Sequence, residues 1–329
     1  MQFLKMWIPI PRIKPINTFH TRFVEKIKTI LEVIATLISR KILYLRSRLG
    51  FSGARVVGLF ENGNVEVELN QDCPLGKKGS TIQLPKDDVI FRSIQLDGSW
   101  ELEESIFLAK GIHAAAVTGI SSIALVDIGA NTGLVSLQVS NQISVSSEFV
   151  LFEPIPRHFQ AIEHNLKHLS KIHMFNAGLA SNGGEVEIFT QSDNHGNSSI
   201  LKSAIPETDR SETISTVVKM LDTKAISIWL NSKFDSIAIK SDTQGMDALI
   251  LSAFSDEIWI KVQCAVIEVW ALAEVDETHV SSLLSKLKKN HKMSWSPRSD
   301  NVESSEVQEF WLSKSGHSRN LFLEKLAGQ

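Results

Sequence analysis

The chain has 329 residues, 43% of them hydrophobic, and a net charge of −3, enough apolar content for one large folded body or two and too much for a disordered chain. The charge is unevenly spread: residues 1–50 carry ten Lys and Arg against Glu25 and Glu32, net +8, which leaves −11 on the other 279 residues. An acidic body excludes broad binding to a nucleic-acid backbone, which needs a basic face on the folded domain, so no nucleic-acid partner is expected. Cys73 and Cys264 are the two cysteines. They are too few and too far apart for a disulfide framework or a cysteine metal site, and a reducing, cytoplasmic location is the default.

In chain order the sequence divides into a basic amphipathic segment (1–50), a β-rich lead-in (51–110) and an α/β domain (111–329). In residues 19–49 the apolar positions Phe23, Ile27, Ile30, Ile34 and Leu37 recur at helical spacing among Arg22, Lys26, Arg40 and Lys41. The uncharged run Val33–Ser39 is far short of the ~20 residues that cross a bilayer. Two readings stay open. The helix packs its stripe on its own domain or on a second copy in a homodimer, or it lies as a peripheral contact on an anionic membrane surface. In the lead-in, Val56–Phe60 and Val65–Leu69 around Asn62-Gly63-Asn64 predict a hairpin. Thr81–Leu84 and Val89–Phe91 extend it as strands, and a helix with acidic residues in its first turn runs to about Lys110.

From Ile123 onward strands and helices alternate: strand 123–128, helix 132–141, strand 148–153, helix 156–169, strand 172–176. That rhythm predicts a doubly wound, mostly parallel Rossmann-like sheet. An extra strand at Gly183–Phe189 and a polar loop at Gln191–Ser199 interrupt it, placed to cover a ligand. Helix-like residues around Thr216–Leu230 follow, then strand Ser236–Lys240, helix Gln244–Phe254, strand Cys264–Val269 and helix Thr278–Asn290. Phe310-Trp311-Leu312 and Leu321-Phe322-Leu323 are expected as an antiparallel edge.

In such sheets ligands sit beyond the carboxyl ends of the strands, so polar residues ending consecutive strands are the candidates. Asp127 stands before the turn Gly129-Ala130-Asn131-Thr132-Gly133, where a carboxylate could take an ammonium group and the missing Cβ atoms of Gly129 and Gly133 would leave room for a ligand. Glu153, held before Pro154, could accept both hydroxyls of a ribose. The combination favours S-adenosylmethionine over a nicotinamide dinucleotide, whose G-x-G-x-x-G fingerprint is not met. A plain strand-to-helix turn and a dinucleotide site remain the alternatives.

The chain resembles the FkbM-type methyltransferases of the class I, Rossmann-like group. The resemblance is carried by Val126–Gly133, Phe152-Glu153-Pro154, Asn176–Ala180 before Gly184–Glu187, Asn197-Ser198-Ser199, Leu221-Asp222, Ile239–Gly245 and Ile267-Glu268-Val269. It implies a class I methyltransferase domain with Asp127, Gly129, Asn131, Gly133 and Glu153 at the cofactor and Asn176 near its adenine. It also implies methyl transfer from S-adenosylmethionine to a hydroxyl, often on a sugar or glycoconjugate. Ser241, where the family is usually apolar, and Gln244, where an acid is frequent, depart from the pattern.

Transfer to an alcohol needs an aligned acceptor and a group to take its proton. Asp242 is the first candidate, with Glu268 and His195 behind it and Lys240 as a partner of Asp242. Asp242 could instead cap the helix that follows. Asn194 and Asn197 beside His195 could hold sugar hydroxyls. No metal is expected, because the adjacent Asp-Asn pair of metal-assisted relatives is missing. Two other functions stay open: a nicotinamide-dependent oxidoreductase, and a catalytically silent partner-binding module.

Overall fold

The computed structural model describes residues 53–85, 88–191, 198–199 and 213–326, within a unit that spans Gly53–Gln329. The readings of residues 1–50 as a basic segment and of Asn194, His195 and Asn197 as site residues lie outside the described residues. No helix among the described residues is long and apolar enough to cross a membrane.

The lead-in opens with β1 (Ala54–Leu59), β2 (Asn64–Leu69) and β3 (Thr81–Pro85), an antiparallel three-stranded sheet in the order β1-β2-β3. Two helices follow, α1 (Asp88–Asp97) and α2 (Leu102–Val117). Val89–Phe91, expected as a strand, opens α1 instead. Ile90 and Ile94 are four residues apart and both fully buried, which is helical packing.

The main body alternates as the sequence predicts. Its elements run β4 (Ile123–Ile128), α3 (Leu134–Gln142), β5 (Glu148–Phe152), α4 (Pro156–Asn165), β6 (Ile172–Phe175), β7 (Gly178–Ala180), β8 (Gly184–Gln191), β9 (Ser198–Ser199), β10 (Thr213–Asp222) and α5 (Thr223–Lys233). Then come β11 (Ser236–Ser241), α6 (Asp247–Ser252), α7 (Asp256–Lys261), β12 (Val262–Trp270), α8 (Glu277–Asn290), β13 (His291–Ser294), α9 (Ser304–Trp311) and β14 (Ser318–Lys325). The expected helix at Thr216–Leu230 is two elements. Residues 213–220 pair with β8 and 220–222 with β7 as one strand, and the helix starts only where the Asp222 carboxylate accepts the Lys224 amide at 2.8 Å. Phe310-Trp311-Leu312 is the end of α9 rather than an edge strand, because Val307 and Trp311, one turn apart, both bury against the core.

The seven-stranded sheet has the order β13-β14-β12-β11-β4-β5-β6, parallel from β12 to β6, with β14 antiparallel to both of its neighbours. It is a doubly wound, mostly parallel Rossmann-like sheet whose antiparallel pairs sit at one end. Alternate residues of its strands feed two apolar layers. Ala124, Val126 and Ile128 of β4 join Leu230, Phe254, Trp259, Leu283 and Trp311 on one face. Ile123 and Leu125 join Ile90, Leu108, Ile112 and Leu134 on the other. The helix α2 lies directly on this second layer: a Cβ at Gly111 would stand 2.1 Å from the Cys264 Sγ, and Phe107 meets Phe322 edge-on at 5.2 Å.

A separate sheet, β7-β10-β8-β9, is inserted between β6 and α5. Its small core of Ile188, Val218 and Met220 closes on Ile155, beside the end of β5.

Candidate active site

The chain leaves β4 for β5 and β6 on one side and returns to β11 on the other, so the switch of direction falls between β4 and β11, where ligands bind in open α/β sheets. Two cavities open there. The first is walled by Ile128, Gly129, Glu153, Ile155, Leu179, Ile188, Met220 and Ile250. The second is walled by Trp100, Glu101, Ala130, Lys240, Glu268 and Trp270. Asn131, Asp242 and Gln244 line both and form the partition.

Strand register explains the charges. Lys240 on β11 pairs laterally with Asp127 on β4 and with Val266 on β12, two residues before Glu268. Side chains alternate along a strand, so all three charged groups point to the α2 face. The Lys240 Nζ donates to the Gly129 carbonyl at 3.1 Å and to Asp242 Oδ2 at 3.4 Å, and stands 3.8 Å from Asp127 Oδ1. Burial pulls the Lys240 pKa down, but the carboxylates of Asp242, Asp127, Glu101 and Glu268 outweigh it and hold the amine above its ordinary value. Lys240 is a fixed cation.

Asp127 is fully buried, and its Oδ2 accepts from Ser136 Oγ at 2.7 Å. Burial raises its pKa against the pull of Lys240. The ammonium it faces in the structure is the protein's own, and Asp127 lines neither cavity.

Asp242 and Glu268 form a proton-sharing pair. Burial works to raise the Asp242 carboxyl, yet Lys240 and hydrogen bonds from Glu268 and Gln244 bring it below the ordinary range. Burial and the neighbouring Asp242 push Glu268 well above it. The proton therefore stays on Glu268. Gln244, in the left-handed region at φ 52°, donates through Nε2 to Asp242 Oδ1 at 2.7 Å and Glu268 Oε2 at 2.9 Å, and Trp270 Nε1 donates to the same Glu268 oxygen at 2.6 Å. A Glu at position 244 would add a third carboxylate with no proton to give.

Asp242 is not a helix cap: α6 starts at Asp247, after Met246. Asp247 organises this turn, accepting from the Ser241 hydroxyl and from the Thr243 amide at 3.4 Å, while burial pushes its carboxyl up to about 6. Ser241, the polar departure from the family pattern, thus has a buried partner.

Glu153 is 4% exposed. Its oxygens accept the Asn131 amide at 2.8 Å and the Ile155 amide at 2.9 Å, and His158 Nδ1 lies 3.6 Å away. Asn176 lines neither cavity; its Nδ2 donates to the Glu153 carbonyl at 2.9 Å and braces the exit from β5.

The turn glycines serve the protein rather than clearance for a ligand. Gly129 sits at φ 74°, and a Cβ there would lie 1.9 Å from the Asp242 carbonyl oxygen; one at Gly133, also at φ 74°, would press on Leu166. These glycines let the β4 turn touch the end of β11 and the helix α4, whose packing sets the site.

Sequence reasoning missed Glu101, Trp100 and Trp270. Glu101 reads as an ordinary acidic residue at a helix start, and nothing in its local sequence ties it to β11, about 140 positions on.

No protein-family model matches this sequence, and no curated protein matches it. Among solved structures, the chain is similar to the methyltransferase FkbM from Methylobacillus flagellatus KT, with a TM-score of 0.37 and 13% identity over 62% of this chain and 44% of that one. It is similar to Aeropyrum pernix fibrillarin in complex with natively bound S-adenosyl-L-methionine, with a TM-score of 0.34 and 9% identity over 82% and 98% of the two chains. It is also similar to an rRNA methylase from Streptococcus thermophilus, with a TM-score of 0.34 and 9% identity over 68% and 94%. The match spans less than half of the FkbM chain. At these scores the similarity carries no argument about chemistry, and the description of the fold rests on the strand order itself.

Proposed function

We propose that this protein is an S-adenosylmethionine-dependent methyltransferase that methylates a hydroxyl of a sugar or glycoconjugate. The observation that carries the reading is how the turn after β4 spends its amides. Gly129 and Ala130 both donate to the Phe152 carbonyl at 3.0 Å, and Asn131 donates to Glu153. A dinucleotide binds its pyrophosphate through the amides of this turn. Here those three are taken, and Lys240 is already paired with Asp242, so a pyrophosphate would meet the carboxylates of Glu153 and Asp242 rather than free donors. The same environment suits a ligand with a sulfonium and an ammonium group.

The residues present fit the cofactor. The buried Asn131 Oδ1 has no partner among the described residues and stands ready for a donor at the partition. A carboxylate offers about four lone-pair positions, so Glu153 keeps capacity for ribose hydroxyls after its two amide bonds. The apolar wall of Ile155, Leu179 and Ile188 suits an adenine.

When bound, S-adenosylmethionine supplies an electrophilic methyl group. The chain's own part is to align the acceptor and manage its proton. Trp100 and Trp270 on the walls of the second cavity give flat faces for a sugar ring, and the carboxylates between them give hydroxyl acceptors. Lys240 keeps Asp242 ionised, and Gln244 fixes its orientation.

Calorimetry with S-adenosylmethionine, its demethylated product and NAD tests the reading. Binding of the first two without NAD is expected. NAD binding alone would establish the oxidoreductase alternative, and a chain that binds none of the three would be the silent module. For residues 19–49 the proposal is packing on this chain or a second copy. Flotation with anionic vesicles of the full-length and 51–329 chains checks it, and selective flotation of the full-length chain would establish the membrane contact instead.

A further inference from the structure

Glu101 is held in place by more than its own helix. It stands at the N-terminal boundary of α2 with φ 46° and ψ 52°, a left-handed conformation that a residue with a side chain rarely adopts. The turn before it is clamped: the Trp100 amide donates to Gln138 Oε1 at 3.0 Å, the Gln138 Nε2 donates back to the Trp100 carbonyl, and Gln138 itself is fully buried. On the other side the Glu101 carbonyl accepts the Ser105 amide at 3.1 Å. Strain that the surroundings fix in this way, on a cavity wall, marks a side chain whose position matters.

The three carboxylates of the second cavity are in different states. Asp242 takes hydrogen bonds from Gln244 and Lys240, which weaken it as a base. Glu268 carries the shared proton and accepts from Gln244 and Trp270. The Glu101 carboxyl takes no hydrogen bond among the described residues and feels only the charges around it. Those are Lys240 of β11 and Asp242 just beyond it, Asp127 from β4 and Glu104 from its own helix, while the protonated Glu268 of β12 faces it across the cavity.

We propose that Glu101 is the catalytic residue that accepts the proton of the acceptor hydroxyl; the assignment rests on the methyltransferase reading. The acceptor oxygen bonds to the methyl carbon as the carbon–sulfur bond breaks, and sulfur keeps that electron pair. The hydroxyl proton passes to Glu101. A methyl ether, a neutral thioether and a protonated carboxyl result, so charge and atoms balance. Burial pushes the Glu101 carboxyl up to about 8, which makes its ionised form, about a tenth of the molecules at pH 7 and half at pH 8, a strong proton acceptor.

The test uses the full chain, its Glu101→Gln variant, and two controls, Glu103→Gln on the exposed side of α2 and Glu268→Gln across the cavity. Carbon-13 NMR of glutamate carboxyls between pH 5 and 10 needs no acceptor. A carboxyl titrating near 8 that is present in the wild type, Glu103→Gln and Glu268→Gln and absent from Glu101→Gln is expected; its persistence in Glu101→Gln, or no such signal in the wild type, overturns the proposal. Calorimetry with S-adenosylmethionine should give Glu101→Gln the wild-type affinity, and a complete loss of binding would assign the residue to the cofactor instead. Labelled methyl transfer into a total glycoconjugate extract should fall by about 10²–10⁴-fold in Glu101→Gln with the Michaelis constant for the cofactor unchanged. Undiminished transfer by Glu101→Gln overturns the role of Glu101 alone, whereas a wild type that binds no S-adenosylmethionine overturns the methyltransferase reading beneath it.

Discussion

The two cavities that meet at Asp242 are built on opposite principles. The first is a mostly aliphatic slot whose carboxylates are Glu153, with its oxygens tied to backbone amides, and Asp242 at the partition. Such a lining favours shape and dispersion, with Glu153 held in place before any ligand arrives. The second is crowded with ionisable groups that perturb one another: a fixed ammonium, an ionised carboxylate, a protonated one, and Glu101 poised between the two states. The first arrangement suits holding a molecule, and the second suits moving a proton. The partition of Asn131, Asp242 and Gln244 is what a reaction joining two molecules requires.

The sharpest way to break the second cavity is to remove its cation. Lys240→Met keeps most of the side chain's volume and leaves the fully buried Asp127 and the partly exposed Asp242 without a counter-charge, so unfolding in urea should show a loss of about 3–5 kcal/mol. An unchanged midpoint would mean that the carboxylates neutralise themselves and that Lys240 is incidental. In the first cavity Glu153→Gln preserves shape but gives up the charge that accepts hydroxyls. S-adenosylmethionine should bind about 10–150-fold more weakly, the equivalent of ~1.5–3 kcal/mol for hydrogen bonds to a charged group. Equal affinity would remove Glu153 from the ribose.

The smallest effect separates the cavities by pH. Glu101 and Glu268 have raised pKa values, so the folded chain holds protons that the unfolded chain has released, and stability falls as pH rises. Asp247 has the same sign below about 6, where His164 and His291, both lowered by burial, oppose it. Above about pH 7.5 these two histidines are neutral in both states, and from there to about pH 8.5 the fall should stand alone. Thermal melts over that window should decline for the wild type and decline less for Glu101→Gln. A flat wild-type curve would contradict the cluster.

Most of this layout was legible in the sequence because it follows from strand ends. Asp127, Glu153, Lys240, Asp242 and Glu268 end buried strands, and alternation alone puts Asp127 and Lys240 on one face. The misread elements share a cause. Val89–Phe91 and Phe310–Leu312 look like strands if β-branched and aromatic residues are counted, whereas the pairs that decide the matter, Ile90 with Ile94 and Val307 with Trp311, are set at helical spacing. The error at 213–222 ran the other way. There the buried residues Val218 and Met220 are two apart, but exposed Ile214 and Val217 mask the alternation. Glu101 could not be found this way, because only the docking of α2 on the sheet brings it to β11.

That docking has a mechanical consequence. Gly111 lets α2 rest on Cys264 with no side chain between them, and the Cys264 thiol, pushed up to about 12 by burial, stays neutral and chemically inert. The contact therefore acts as a spacer of fixed thickness. Nine residues upstream α2 begins, just past Glu101, and four residues downstream of Cys264 the strand carries Glu268. Helix and strand thus behave as two arms of a caliper clamped at Gly111, and the gap across the second cavity is set by a contact at the far end from its chemistry. A single methyl group added at that clamp would open the jaws.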